Sequence, residues 1–127
     1  MKFSTNSTMT KILDELFSTY SERVPNVRKI TSEMVKNGMV KDQNEIINDH
    51  VAFRTMGVKN LGINSFEKIF LAHGYEKRDF FHFKVKKLDA YWYAPPTHDL
   101  PRIFISELKV DLLSKKVRKI IRKYTDI

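Results

Sequence analysis

The sequence predicts an α+β fold. Two N-terminal helices precede one β-α-β-β-β module, and a basic helix closes the chain. Three observations predict it. Apolar residues recur at helical spacing near both ends of the chain. From residue 48 the period switches to two, the signature of half-buried strands. Glycine and proline punctuate the joints, at Pro25, Gly38, Gly57, Gly74 and Pro95-Pro96. A chain of 127 residues suits a single domain with one modest core. It divides into a helical part (1–47), the module (48–110) and the last helix (111–127).

In the first helix, residues 10–24, Ile12, Leu13, Leu16, Phe17 and Tyr20 share one face, and Thr8 or Thr10 is the candidate cap. Val24 precedes Pro25 and so ends it. A second helix over 26–37 carries Val27, Ile30, Met34 and Val35, and Gly38 suits its end. Residues 39–47 are a polar connector. The stretch NDHVAFRT then reads as a strand closed by Gly57. Asn64 or Ser65 caps a third helix bearing Phe66, Ile69 and Phe70. Residues 75–83, 88–94 and 102–110 are three further strands, rich in aromatic and β-branched residues. Asp111 is the expected cap of the last helix, with Leu112, Leu113, Val117, Ile120, Ile121 and Tyr124 turned inward.

Composition excludes several classes. Without cysteine there are no disulfides or thiolate metal sites, which leaves His, Asp and Glu as ligands and fits a cytoplasmic protein. No apolar run reaches the ~20 residues of a membrane span. Asp14 and Glu15 interrupt the apolar core that a signal peptide needs. The formal charge of +8 gathers in the last helix (Lys115, Lys116, Arg118, Lys119, Arg122, Lys123) and at Lys84, Lys86 and Lys87. With the aromatic strands, it raises nucleic-acid binding as one reading. A solvated basic face opposite an apolar stripe explains the same residues, so nucleic acid is not the favoured partner.

NDHVAFRT carries the chemistry. Alternation puts Val51 and Phe53 on one face and His50, Ala52 and Arg54 on the other. In RIFISEL, Phe104, Ser106 and Leu108 share one face, and Ile103, Ile105 and Glu107 share the other. Two readings follow. In one, His50 is a satisfied core histidine and Arg54 pairs with Glu107. In the other, His50 binds a metal and Arg54 holds an anionic substrate, since guanidinium grips carboxylate bidentately.

NDHVAFRT, HGYEKRDFFHF, KKLDAYWYAPP and LPRIFISEL, in this order and spacing, resemble the N-terminal part of the 2-oxoadipate dioxygenase/decarboxylase family. The resemblance implies half of a vicinal-oxygen-chelate-like fold. It also implies an Fe(II) enzyme that uses O2 to convert 2-oxoadipate to 2-hydroxyglutarate and CO2. The family's first metal-ligating histidine maps onto His50, and its substrate-binding arginine onto Arg54. The second histidine and the glutamate of the metal site belong to a downstream module, so the expectation is a truncated member. Its missing ligands would come from a separately encoded module or from a homo-oligomer. Local substitutes are His82 and Glu107, which with His50 would make a two-histidine, one-carboxylate set. His73, at a helix C-terminus, and His98, in a loop, are read as structural or solvated. A non-catalytic interaction domain is the remaining alternative.

Overall fold

The computed structural model describes residues 7–126; residues 1–6 and Ile127 of the expected terminal segments lie outside them. The chain forms two compact units, Met1–Asp49 with Thr97–Leu100, and His50–Pro96 with Pro101–Ile127.

In the first unit, α1 (Thr8–Arg23) starts at Ser7 rather than at a threonine. The Ser7 hydroxyl accepts from the Thr10 amide at 3.1 Å, and the Ser7 amide donates to the Thr10 hydroxyl at 2.8 Å. Two donors that a helix start leaves unsatisfied are thereby met. The helix stops at Val24, and α2 (Pro25–Lys36) begins with proline in its first turn, where the missing N–H costs nothing. Gly38 follows with φ +72, a backbone that a β-carbon would strain. The polar connector holds one short 3-10 turn, Gln43–Glu45, capped by Asp42.

The second unit contains the sheet. Its elements are β1 (His50–Met56), α3 (Ile63–Phe66), α4 (Lys68–Leu71), β2 (Glu76–Phe83), β3 (Leu88–Ala94), β4 (Arg102–Leu108) and α5 (Lys115–Thr125). The strand order is β1-β4-β3-β2. β1 runs parallel to β4, and the other two pairings are antiparallel. A β-bulge interrupts the β2–β3 ladder between Lys77 and Phe80.

One face of this sheet is covered by α3 and α4. Phe53 of β1 lies 5.0 Å from Phe66 and 5.7 Å from Phe70, ring to ring. Phe70 meets Tyr75 edge-on at 5.6 Å. Tyr93, Ile103 and Ile105 complete the layer and are fully buried. The Tyr93 hydroxyl donates to Glu67, whose carboxylate also holds Lys77 at 2.8 Å. Burial, reinforced by that carboxylate, pushes the Tyr93 hydroxyl's pKa upward, so the phenol stays a donor.

Three expectations about these elements need correction. The third helix is two separate turns, and its N-cap is Gly62 rather than Asn64 or Ser65. Gly62 adopts φ +86 and ψ 176, a region open essentially to glycine alone. The Glu107 carboxylate does the capping, accepting from the Ile63 amide at 2.9 Å. The last helix starts at Ser114, whose hydroxyl faces the Val117 amide at 3.4 Å, because Asp111 lies within a 3-10 turn, Val110–Leu112. Its apolar stripe is not buried: Val117, Ile120 and Tyr124 are 41%, 51% and 73% exposed.

The Gly62–Glu107 contact yields a stability prediction. A β-carbon at Gly62 would stand 2.8 Å from the Glu107 carboxylate oxygen. Gly62→Ala should therefore lower unfolding free energy by ~1–3 kcal/mol in denaturant melts, with the m-value unchanged.

Candidate substrate-gripping face

The register of the sheet assigns every strand residue to a face. His50, Ala52, Arg54 and Met56 of β1 pair with Arg102, Phe104, Ser106 and Leu108 of β4. Ala90 and Trp92 of β3 pair in turn with Ser106 and Phe104, and Phe81 and Phe83 of β2 pair with Ala90 and Leu88. All these residues lie on the face away from α3 and α4, because Phe53, between Ala52 and Arg54, packs on those helices. His50 and Arg54 therefore share a face, roughly 13 Å apart along the strand at ~3.3 Å per residue. Both are exposed.

The floor between and beside them is small or aromatic. Ala52, Ala90 and Ser106 present short side chains, and the Phe104 ring meets Phe81 at a tilt of 46°, 6.1 Å between centres. The Trp92 indole N–H donates to Asp79 at 2.8 Å. The guanidinium of Arg102 lies 6.0 Å from the Trp92 ring centre, within range of a cation–π contact. Arg54 has no ion-pair partner among the described residues. A guanidinium left exposed beside an apolar floor is well placed to meet a carboxylate.

Neither local substitute joins His50. Glu107 pairs in register with Thr55, and His82 with Asp89, which places both on the helix-covered side of the sheet. The pairing of Arg54 with Glu107, the structural reading of these residues, fails for the same reason. Glu107 is occupied in capping α3 and has Lys109 at 3.8 Å. His82 Nδ1 lies 2.6 Å from Asp89, whose other oxygen holds Lys109 at 3.1 Å. His73 Nδ1 faces the Ile69 carbonyl at 2.6 Å near the end of α4, and His98 is exposed in its loop. Among the described residues no group of three His, Asp or Glu side chains is arranged to hold a metal. The donors present do not by themselves fit a resident iron, since this face offers one imidazole and no carboxylate from the expected set.

A cleft of about 520 Å³ lies elsewhere, beside α5, lined by Lys59, Lys109 and Arg122 and by Glu107, Asp111 and Asp126. Its charges balance. Lys109 is tied to Asp89, and Arg122 is 3.6 Å from Asp111. It contains neither His50 nor Arg54 and has no excess of charge for an anion.

Arg102 and Trp92 are the residues of this face that sequence reasoning missed. The alternation that grouped Phe104, Ser106 and Leu108 extends back to Arg102. What placed Arg102 beside His50, however, was the parallel β1–β4 pairing, which no spacing in the chain reveals.

The architecture is that of one half of a vicinal-oxygen-chelate fold. A glyoxalase-superfamily protein of Ralstonia eutropha superposes on 87% of this chain, and on 35% of its own, with a TM-score of 0.74 at 22% identity. Residues 12–127 match the family described as 2-oxoadipate dioxygenase/decarboxylase, and the chain belongs to that family. Chloroplastic enzymes of that name from Arabidopsis thaliana and Oryza sativa are 38% and 41% identical over 98% and 89% of this chain. The chain spans about a third of their length, 36% and 33% respectively. The hydroxyglutarate synthase of Oryza sativa, crystallised with 2-oxoadipate, matches 99% of this chain and 44% of its own with a TM-score of 0.82 and 35% identity. No helix among the described residues is long and apolar enough to cross a membrane. Both plant relatives are chloroplastic by name, so the expected cytoplasmic location rests on composition alone.

The charged cluster around Asp89 has a pH signature. Burial acts to raise the Asp89 carboxyl, but the hydrogen bonds and charges of His82 and Lys109 outweigh it and hold it below its ordinary 3.8. A depressed carboxyl stabilises the fold above its unfolded pKa, and that contribution is lost as pH falls through the lower folded value. Asp89→Asn should therefore flatten the acid limb of the stability profile below about pH 4 in denaturant melts. An acid limb as steep as wild type would contradict the pairing.

Proposed function

We propose that this chain carries the substrate-gripping part of a 2-oxoadipate dioxygenase/decarboxylase site, with Arg54 holding the remote carboxylate of the diacid. The supporting observation is that Arg54 and His50 project from the same face of β1, four residues apart, above the small side chain of Ala52. Guanidinium meets a carboxylate with two parallel hydrogen bonds, which fixes orientation as well as affinity. β1 is held at its middle by Phe53 against Phe66 and Phe70, so the two side chains stand on a rigid strand rather than a loop.

In this reading His50 is one ligand of an Fe(II) site, and the other ligands lie beyond the residues described here, in a second module or a second copy. The complete site would convert 2-oxoadipate to 2-hydroxyglutarate and CO2 with O2. The residues here would bind the diacid, set its orientation along β1 and keep its remote charge neutralised. The relatives' names and the 2-oxoadipate bound to the rice enzyme support this choice of substrate. The lysines and arginines of α5 are read in this account as a solvated face opposite its apolar stripe.

Calorimetric titration of the purified chain with 2-oxoadipate tests the proposal. Wild type should bind, and Arg54→Gln should weaken binding ~10–100-fold, the loss of a charge-assisted pair worth about 1.5–3 kcal/mol. Unchanged affinity in Arg54→Gln would reject the assignment.

A further inference from the structure

Three short side chains lie on the open face of the sheet, and they differ in what stands above them. Ala90 is fully buried, and Ser106 is 5% exposed. Ala52, by contrast, is exposed. The aromatic residues make the difference. Phe81 of β2 pairs with Ala90, and the rings of Phe81 and Phe104 meet across β3, 6.1 Å between centres. They roof Ala90, the short residue between their strands. Ser106 turns its hydroxyl to the Phe53 carbonyl at 3.5 Å and adds nothing to the open surface. The contact with Phe81 draws the Phe104 ring toward β2 and away from β1, where Ala52 is the Cα partner of Phe104. What remains is a slot above Ala52. Its wall is the half-buried Phe104 ring, and Arg54 stands two residues further along β1.

The slot fits one part of the substrate. Two residues of strand advance roughly 7 Å, so a carboxylate held by Arg54 leads the chain behind it across Ala52 toward the His50 end. A methylene chain has no hydrogen bonds to offer, and a methyl floor with an aromatic wall asks for none. Building on the proposed role of Arg54, we infer that Ala52 and Phe104 form the subsite for the methylene chain of the diacid. The size of residue 52 then decides whether that chain can lie against the strand. Strand physics does not call for alanine here. β1 is an edge strand, and its exposed positions have room for the β-branched and aromatic residues that strands favour over alanine. The fold gives no reason for so small a residue at this position, and the ligand does.

Titrations of the purified chain with 2-oxoadipate test this through size at one position. Ala52→Ser, which keeps the slot, should bind like wild type. Ala52→Val and Ala52→Leu, which fill it, should bind about 10-fold weaker or more, the cost of forcing extra bulk into a filled contact. Both larger residues suit an exposed strand position, so denaturant melts should show no loss of stability. Weaker binding in a chain as stable as wild type is a result that a merely structural role for Ala52 does not give. Phe104→Thr, which keeps a strand-favouring residue but removes the ring, should weaken binding several-fold, with circular dichroism confirming the fold. Unchanged or tighter binding in Ala52→Leu or in Phe104→Thr overturns the inference, and so does a loss in Ala52→Ser equal to that in Ala52→Leu. Arg54→Gln, titrated alongside, keeps the two readings apart. If it loses affinity while Ala52→Leu does not, Arg54 keeps its role and the slot falls. If Ala52→Leu loses affinity while Arg54→Gln does not, the role of Arg54 falls and the slot stands. A wild-type chain that binds no 2-oxoadipate overturns both.

Discussion

The parallel pairing of β1 with β4 is the constraint on which the rest of the structure depends. The two strands are far apart in sequence and come together because Phe53, Ile103 and Ile105 must be buried against α3 and α4. Apolar burial at roughly 25 cal/mol per Å² fixes which side of each strand faces inward. Once that side is fixed, the period of two sends His50, Arg54 and Arg102 to the opposite face together. A one-residue slip of β1 would bury Arg54 and expose Phe53, so the register is strongly specified. The arrangement of polar groups is in this sense a by-product of core packing, held as rigidly as the core itself.

The same division separates two chemistries. On the helix-covered side, charges are consumed in structure: Glu107 caps α3, Asp89 joins His82 to Lys109, and Glu67 links Lys77 to Tyr93. On the other side, Arg54 stands exposed beside the small side chain of Ala52, with no ion-pair partner among the described residues. Buried or half-buried acids seldom stay unpaired, and here each acid of the helix side has a local partner. That leaves them poor candidates for metal or substrate work. The contrast between satisfied acids on one face and the exposed guanidinium of Arg54 on the other supports an anionic ligand for that guanidinium.

Much of this was legible in the chain. The alternation in NDHVAFRT placed His50 and Arg54 on one face, and Pro25, Gly38 and Gly57 marked real joints. Family resemblance added what periodicity could not, an expected role for each of those two residues. Other features escaped for identifiable reasons. Asn64 and Ser65 are good caps by residue type, yet a distant carboxylate, Glu107, took the position, and only the tertiary fold brings it there. The stripe of α5 has helical spacing, but spacing reports amphipathicity and not whether another surface covers it. Arg102 went unnoticed because strand order, and thus its neighbour His50, depends on long-range pairing. Glu107 was read as a partner for Arg54 or as a metal ligand because its actual partner is a backbone amide, that of Ile63, which leaves no mark in sequence.

The central claim is that the face bearing His50 and Arg54 grips a diacid. The most direct measurement is a titration of isotopically labelled chain with 2-oxoadipate, followed by amide and side-chain NMR shifts. The account predicts saturable shifts concentrated at His50, Ala52, Arg54, Arg102 and Phe104. Shifts clustered instead around Lys59, Lys109 and Arg122, or no saturable shift at all, would contradict it.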